Sequence, residues 1–354
     1  MLLLFTVMVV ALAFEFINGF HDTANSVAAV VGTKVLSPSR AIVLAAVTNL
    51  CGALAGTAVA STIGRGLVEA QFVTSTTLIC GLSGATIWNL ITWRFGLPSS
   101  SSHALVGGLV GAVVATTGGW DAVIWSAPVE DKPWFQWGGL LYKVIIPMLS
   151  SPLLGLLVAF VWMSFLYNAL APFRAGPVNG IFRKLQILSA AFMGFSHGSN
   201  DAQKTMGIIA LALFSATTAG TLDHAPQYLS FLYTPEFRIA LWVKIVCAIT
   251  MAAGTATGGR RIIKTLGRKV ARLHPVSGFA ADTTSGAVLL TAASLGMPVS
   301  TTHVVSTSIM GVAAAKTVKN LRLQVVERIV WAWVFTLPAS GLAGYLISRF
   351  IRLF

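Results

Sequence analysis

The stretch that most restricts what this chain can fold into is 18–26, NGFHDTANS, which sets His21 and Asp22 inside sequence otherwise apolar enough to sit in lipid. An ionisable side chain at the centre of a bilayer costs about 2.5–3.5 kcal/mol on insertion scales, so each of the two requires a partner or a function. Composition establishes the lipid setting. Of 354 residues, 55% are hydrophobic and only 10% charged, with a mean hydropathy of +0.79. Soluble domains carry roughly 25% charged residues. The chain is therefore read as an all-α polytopic membrane protein, multi-pass in the cell inner (plasma) membrane with the lipid bilayer as its solvent. A net charge of +13 does not call for nucleic acid, because the basic residues fall in short loops between apolar runs, where they act as positive-inside signals. The N-terminal MLLLFTVMVVALAFEF lacks a basic leader and a cleavage site, and reads as a retained span. Cys51, Cys80 and Cys247 have no metal or redox spacing and read as small core residues.

A second polar cassette, GSNDAQKT, begins at Gly198. Placing Gly19 on Gly198 pairs Asp22 with Asp201 and Asn25 with Lys204. Further on, AGTA at 55–58 recurs at 253–256, and GLPSSSSH at 96–103 recurs as GMPVSTTH at 296–303, pairing His103 with His303. Three matches in one order at nearly constant offset indicate an internal duplication. The loop charges indicate how the copies are related. Lys34 and Arg40 stand against Asp223, Glu236 and Arg238. Arg65 and Glu69 stand against Arg260, Arg261, Lys264, Arg268, Lys269 and Arg272. Asp121, Glu130 and Asp131 with Lys132 stand against Lys316, Lys319, Arg322 and Arg328 with Glu327. In each pair one loop is basic and the other neutral or acidic, so equivalent loops are expected on opposite sides of the membrane. That is an inverted-topology repeat: a first repeat over 1–167, a cytoplasmic connecting loop over 168–184, and a second repeat over 185–354. Loops 34–40, 168–184, 259–275 and 316–328 are expected in the cytoplasm and both termini outside.

As helix, residues 1–33 would run about 50 Å, too long for one perpendicular crossing and too short for two. A crossing helix broken at 18–22 is expected, with a second break at 198–200. Residues 73–117 and 276–315 leave from and return to one side, so each forms a helical hairpin. Gly96 and Pro98 end the first arm, and Ser99 to Ser102 supply N-cap hydroxyls for the next. If the hairpins are re-entrant, their tips meet near the midplane; full-length arms are the alternative. Four helix N-termini, two at breaks and two at tips, would then face one place. Their unpaired N–H groups make an anion site, with Ser and Thr hydroxyls as further donors. Asp22 and Asp201 suit such a site only if the anion carries a proton that a carboxylate can accept. Hydrogen phosphate does; sulfate does not. A carboxylate can also hold a coupling H⁺ or Na⁺, and the plainer alternative is that each Asp caps a half-helix.

NGFHDTANSV, FSHGSNDAQKTMG, ITWRFGLPSSSSHALVGG and GMPVSTTH together resemble the duplicated signatures of the inorganic phosphate transporter family, most closely its bacterial low-affinity branch. The resemblance covers nearly the whole chain. It implies uptake of inorganic phosphate coupled to H⁺ or Na⁺, and a homodimer, with the spans at 138–166 and 329–350 as candidate contacts. The implied phosphate site comprises Asp22, Asn25, Ser100, Ser101, Ser102, Asn200, Asp201, Ser300, Thr301 and Thr302. The family's cassettes commonly carry Asn where His21 and Lys204 stand here. A fixed ammonium at 204 takes the place and charge of a cation. It favours proton coupling, or uptake of a neutral metal–phosphate complex that brings a divalent cation with the substrate. Asp22, Asp201, Lys204 and His21 are the coupling candidates. Sodium-coupled uptake, and sulfate or another oxyanion on the same fold, are the alternatives.

Other polar positions carry two readings each. His103 and His303 either contact substrate or pack with hydrogen bonds. Glu15, about two turns before Asp22, either faces the same path or pairs with a basic residue. Arg94 either helps hold phosphate or caps the first hairpin. His21, His197, His103 and His303 lack close ligand pairs such as HxxxH, so no protein-bound metal and no cofactor is expected. An anion channel would share the helix ends but would not need two intramembrane carboxylates. A membrane-embedded hydrolase would need a nucleophile–base pair at useful spacing, so the chain is read as a transporter and not an enzyme.

Overall fold

Helix-start and helix-stop signals set the element boundaries in a computed structural model that describes residues 1–223, 225–258, 260–317 and 321–353. Lys319 lies outside the described residues, and so do the side chains of Arg260, Arg268 and Lys269. The helices are α1 (Leu2–Gly32), α2 (Pro38–Ala53), α3 (Ala58–Arg65), α4 (Ser75–Phe95), α5 (Ser101–Thr117), α6 (Ile146–Leu170), α7 (Ala175–Thr218), α8 (Leu241–Thr257), α9 (Arg260–Lys264), α10 (Pro275–Ser294), α11 (Thr301–Ala314) and α12 (Leu323–Ile351). No strand occurs among the described residues, only isolated bridges such as Val68 with Val123. Pro38 opens α2 behind the Ser37 cap, and Thr74 caps α4 by accepting from the Thr77 N–H. Leu2–Gly32, Leu141–Leu170 and Leu323–Ile351 are each long and apolar enough to cross a membrane, the second entering α6 through one π-helical turn.

The helix breaks lie elsewhere than expected. Neither α1 at 18–22 nor α7 at 198–200 is interrupted. The interruptions fall instead at the first AGTA, where α2 and α3 meet at 70°, and just beyond the second, which stays helical to Thr257 before the next helix leaves at 62°. The glycines explain the difference. Gly19 does not break α1 but lets it approach α8, since a Cβ there would sit 2.4 Å from the Met251 carbonyl oxygen. Gly198 does the same for α7 against α2, where a Cβ would lie 2.2 Å from the Asn49 oxygen. Small residues at helix crossings are the usual way to close-pack within a bilayer. At the first true break Gly56 adopts φ 78 and Gln203 of α7 takes up the freed backbone groups. Its Oε1 accepts from the Val59 N–H at 2.9 Å, and its Nε2 donates to the Ala55 oxygen at 3.3 Å. The connector expected over 168–184 shrinks to four residues after Leu170, because 175–184 are already the first turns of α7. Pro177 is tolerated there, where its missing N–H would be unpaired anyway.

The two halves interleave. α1 packs along α8, and α7 along α2. The first hairpin, α4–α5, packs against α12 of the second half; the second hairpin, α10–α11, packs against α6 of the first. Gly96 and Gly296, each at φ 65, turn the hairpins at matching places. The two tips touch: Ser102 Oγ donates to the Val299 oxygen at 3.1 Å. The loops form two groups. Loop 34–40, the start of α7, 259–275 and the start of α12 share one core, with the Arg322 N–H donating to the Val270 oxygen at 3.2 Å. Loops 61–72, 118–137 and 215–238 adjoin the other, where the Glu69 N–H donates to the Ala122 oxygen at 2.9 Å.

Candidate functional site

Two polar helix faces and two hairpin tips converge. α1 contributes His21, Asp22 and Asn25; α7 contributes His197, Asn200, Asp201 and Lys204. The tips contribute the first turns of α5 and α11. Ser100 and Ser300 are the N-caps, accepting from the His103 N–H at 3.1 Å and the His303 N–H at 3.2 Å. With the caps so used, the next hydroxyl on each tip, Ser101 and Thr301, bonds a carboxylate, and the one after it, Ser102 and Thr302, accepts from a side chain of the opposite half. Helix geometry leaves the N–H groups of those first-turn residues without intrahelical partners. Since α1 and α7 run unbroken, two helix N-termini face this site rather than four.

Asp22 accepts from Ser101 Oγ at 3.0 Å and lies 2.6 Å from His21 Nδ1. The far side of that imidazole, Nε2, meets Thr92 Oγ1 at 3.2 Å. Asp201 accepts from Thr301 Oγ1 at 3.3 Å and from the Lys204 ammonium, and it sits 3.4 Å from His197 Nε2. Two side chains cross between the halves. Asn25 Nδ2 donates to Thr301 Oγ1 at 3.2 Å and to Thr302 Oγ1 at 2.9 Å. Lys204 donates to Ser102 Oγ. Since Asn25 pairs with Lys204 and Thr302 with Ser102 in the duplication, one cross-link is built twice, once with an amide and once with an ammonium. Asp22, Asp201 and Lys204 are 2%, 0% and 1% exposed, so this conformer is closed to water on both sides. A buried ammonium between a carboxylate and a hydroxyl makes a charge-assisted network that an oxyanion can enter by exchanging partners.

The remaining candidates divide. Asn200 Nδ2 donates to the Met297 oxygen at 3.3 Å, tying α7 to the second tip. Glu15 is buried and accepts from Thr205 Oγ1; among the described residues no basic side chain pairs with it. His103 and His303 pack edge to face with ring centroids 4.8 Å apart, and His303 lies 4.1 Å from the Trp333 ring. Arg94 is exposed and away from both carboxylates; its carbonyl accepts from Arg261 Nη1 at 2.8 Å. Its side chain does not reach the site, and what Arg94 contributes at the end of the first arm is that backbone carbonyl.

Three participants were not singled out as site residues from sequence. His197, one helical turn before Asp201, forms with Asp22 and Asp201 a trio whose ligand atoms lie within 4.8 Å of one another. The signal was the four-residue spacing of His197 and Asp201, which a search for paired histidines passes over. Asn49 of α2 meets His197 Nδ1 at 3.1 Å and donates to Thr255 Oγ1 at 3.2 Å, linking α7 to α8. Asp282 of α10 is buried with Ser189 Oγ 3.4 Å from its Oδ2, roughly three turns along α7 from Asp201. A carboxylate within an apolar hairpin arm, where the first half has Leu82, was visible but unremarked.

With this geometry in hand, comparisons with known proteins are informative. A profile described as "Phosphate transporter family" matches residues 18–344. A Bacillus subtilis protein described as "Probable low-affinity inorganic phosphate transporter" is 40% identical over 347 residues, covering 97% of this chain and 96% of its own. A Rhizobium meliloti protein of the same description is 42% identical over 345 residues, covering 97% and 95%. One from Mycobacterium bovis is 43% identical over 344 residues, covering 97% and 76%. Among solved structures, one titled "The sodium-dependent phosphate transporter" superposes with a TM-score of 0.81 at 22% identity, covering 100% of both chains.

Proposed function

The chain belongs to the phosphate transporter family, and from that premise we propose that it is a secondary symporter taking up inorganic phosphate with H⁺ at the meeting point of the two hairpin tips. It is a multi-pass protein of the plasma membrane and a transporter, not an enzyme. The observation that carries the finer reading is the pair of buried carboxylates in one network with Ser101, Ser102, Thr301 and Thr302, Lys204 linking the halves. On this reading phosphate enters between the tips, and the four hydroxyls and first-turn N–H groups of α5 and α11 donate to it. Lys204 turns from Asp201 to a phosphate oxygen. Of Asp22 and Asp201, released from hydroxyls now committed to the anion, one accepts the hydrogen bond of the anion's single O–H and the other holds the coupling proton. Only a protonated oxyanion satisfies carboxylates in this way, which favours phosphate over sulfate.

The coupling ion is assigned from the asymmetry of the site. On the second half a covalently attached ammonium already neutralises Asp201, so Na⁺ has no charge to balance there. On the first half the partner of Asp22 is an imidazole at 2.6 Å, a side chain that can hand a proton to a carboxylate and take it back. The Asp22, His197 and Asp201 trio would also hold a divalent cation arriving with phosphate. An inverted repeat would put loops 34–40, 168–184, 259–275 and 316–328 in the cytoplasm, and a homodimer would bury the exposed apolar faces of α6 and α12, such as Leu153, Leu157, Trp331 and Phe335.

The test is phosphate uptake into proteoliposomes under separately imposed pH and sodium gradients, with and without Mg²⁺. Concentrative uptake driven by an inward proton gradient in Na⁺-free buffer is expected. Strict dependence on Na⁺ would overturn the proton assignment and leave phosphate as substrate. A requirement for Mg²⁺ would identify the metal–phosphate complex as the transported species.

A further inference from the structure

Away from the carboxylates, a cavity of about 400 Å³ opens where α6, α10, α11 and the start of α12 meet. Its wall carries Arg272, His274, Lys316 and Arg322, with Tyr167 beside them and, among the described residues, no acidic one. These basic side chains come from loops far apart in sequence. The bond from the Arg322 N–H to the Val270 oxygen holds two of the loops together. Every ion pair among the described residues belongs to the central site. Among the described residues, therefore, no ion pair neutralises the positive charge of this cavity. Tyr167, His274, Ser277 and Lys316 also line a second hollow of about 350 Å³, which runs along the end of α6 between Met163, Leu166, Leu170, Phe173 and Val178. The outward side of the same stretch of α6 exposes Phe165 and Tyr167, as a helix facing lipid at the headgroup level does.

We propose that this composite cavity is a binding site for an anionic phospholipid, with the phosphodiester held by Arg272, Lys316 and Arg322 and the first carbons of one acyl chain laid in the hollow beside α6. Basic pockets between transmembrane helices select anionic headgroups by this combination of fixed charge and adjoining lipid. The apolar hollow distinguishes a lipid from a soluble phosphate, which would use the cations and have no use for Leu166, Leu170 and Phe173. Nothing in this site overlaps the carboxylates or hairpin tips, so it stands whether or not uptake is proton-coupled.

The experiment uses the intact protein in neutral detergent, with native mass spectrometry to count retained lipid from equimolar phosphatidylglycerol and phosphatidylcholine. Wild type is expected to retain phosphatidylglycerol by about tenfold or more over phosphatidylcholine, as three fixed cations imply. The R272Q/K316Q/R322Q variant should fall to parity while still taking up phosphate in vesicles of phosphatidylcholine alone. Should the triple variant not purify, K316E by itself is expected to lose most of the preference. Equal retention by wild type and variant would overturn the proposal. So would displacement of the bound lipid by glycerol phosphate at equal concentration, which would mark the cavity as a soluble-anion site.

Discussion

The two cassettes are built alike and charged differently. Asp22 and Asp201 each accept from a hydroxyl of their own hairpin tip, Ser101 and Thr301, and Asn25 and Lys204 each reach across to the opposite tip. Beyond that frame they diverge. Asp22 has an imidazole at 2.6 Å, whereas Asp201 has a covalently attached ammonium. A duplicated scaffold thus keeps its hydrogen-bond geometry while one copy exchanges a neutral amide for a cation. Geometry and charge were separable, and on the proposed reading the first half exchanges the proton while the second is neutralised by its own ammonium.

The most severe way to break the comparison is to remove each carboxylate. Asp22→Asn and Asp201→Asn should each lower phosphate uptake by about a hundredfold or more, since each loses charged hydrogen bonds in a closed site. Folded protein should remain in the membrane, as read by detergent extraction and gel filtration. Normal accumulation by either variant would mean that the halves do not share the work.

Lys204→Asn makes the second half like the first. Proton-driven uptake in Na⁺-free buffer should fall by roughly tenfold or more, since one charged bond of the network is gone, and added Na⁺ should restore part of it. A variant indistinguishable from wild type in both buffers would show Lys204 to be a structural tether. His21→Asn, which gives the first half the Asn200 of the second, should weaken proton-driven uptake while phosphate still binds, as read by uptake and by phosphate exchange in the same vesicles.

Sidedness compares the halves by position instead of chemistry. With Cys51, Cys80 and Cys247 removed, a cysteine at Glu69 should react with an impermeant reagent only from outside and one at Arg272 only from the cytoplasm. Labelling of both from one side would refute the inverted repeat. Smaller effects belong to the scaffold. Gly198→Val forces a side chain against the Asn49 backbone, where even a Cβ would lie 2.2 Å from the oxygen, and overpacking of this kind costs about 1–3 kcal/mol. A drop in thermal midpoint larger than that of Gly176→Val, where a Cβ meets nothing, is expected. Least of all, Gln203→Ala frees the start of α3 and should cost about 1 kcal/mol, the usual worth of a helix cap.

Much of this molecule was legible from residues alone, because a bilayer punishes misplaced polarity. The cost of burying Asp22, Asp201 and Lys204 marked the site, and the repeated LPSSSSH and MPVSTTH located both tips through Gly, Pro and hydroxyl signals that act locally. The glycines were read wrongly for a physical reason. Gly19 and Gly198 look like helix breakers in a list of residues, yet a glycine in a membrane helix serves equally well to admit a neighbouring backbone. Only the presence of α8 and α2 against them decides between the two. Arg94 was a candidate by closeness in sequence to the first tip, but the end of α4 turns it outward.

The sequence by itself determined that the chain is helical and membrane-spanning, that it is duplicated, and that two carboxylates and two hydroxyl-rich tips belong together, since each follows from local chemistry repeated at matching intervals. Only the tertiary structure decided that the halves interleave, that the breaks fall at the first AGTA and just after the second, and that His197 stands beside Asp201 with Asn49 behind it. Those outcomes depend on which helix surfaces meet across hundreds of residues, and a close approach of two backbones is a property of the pair, absent from either strand of sequence read alone.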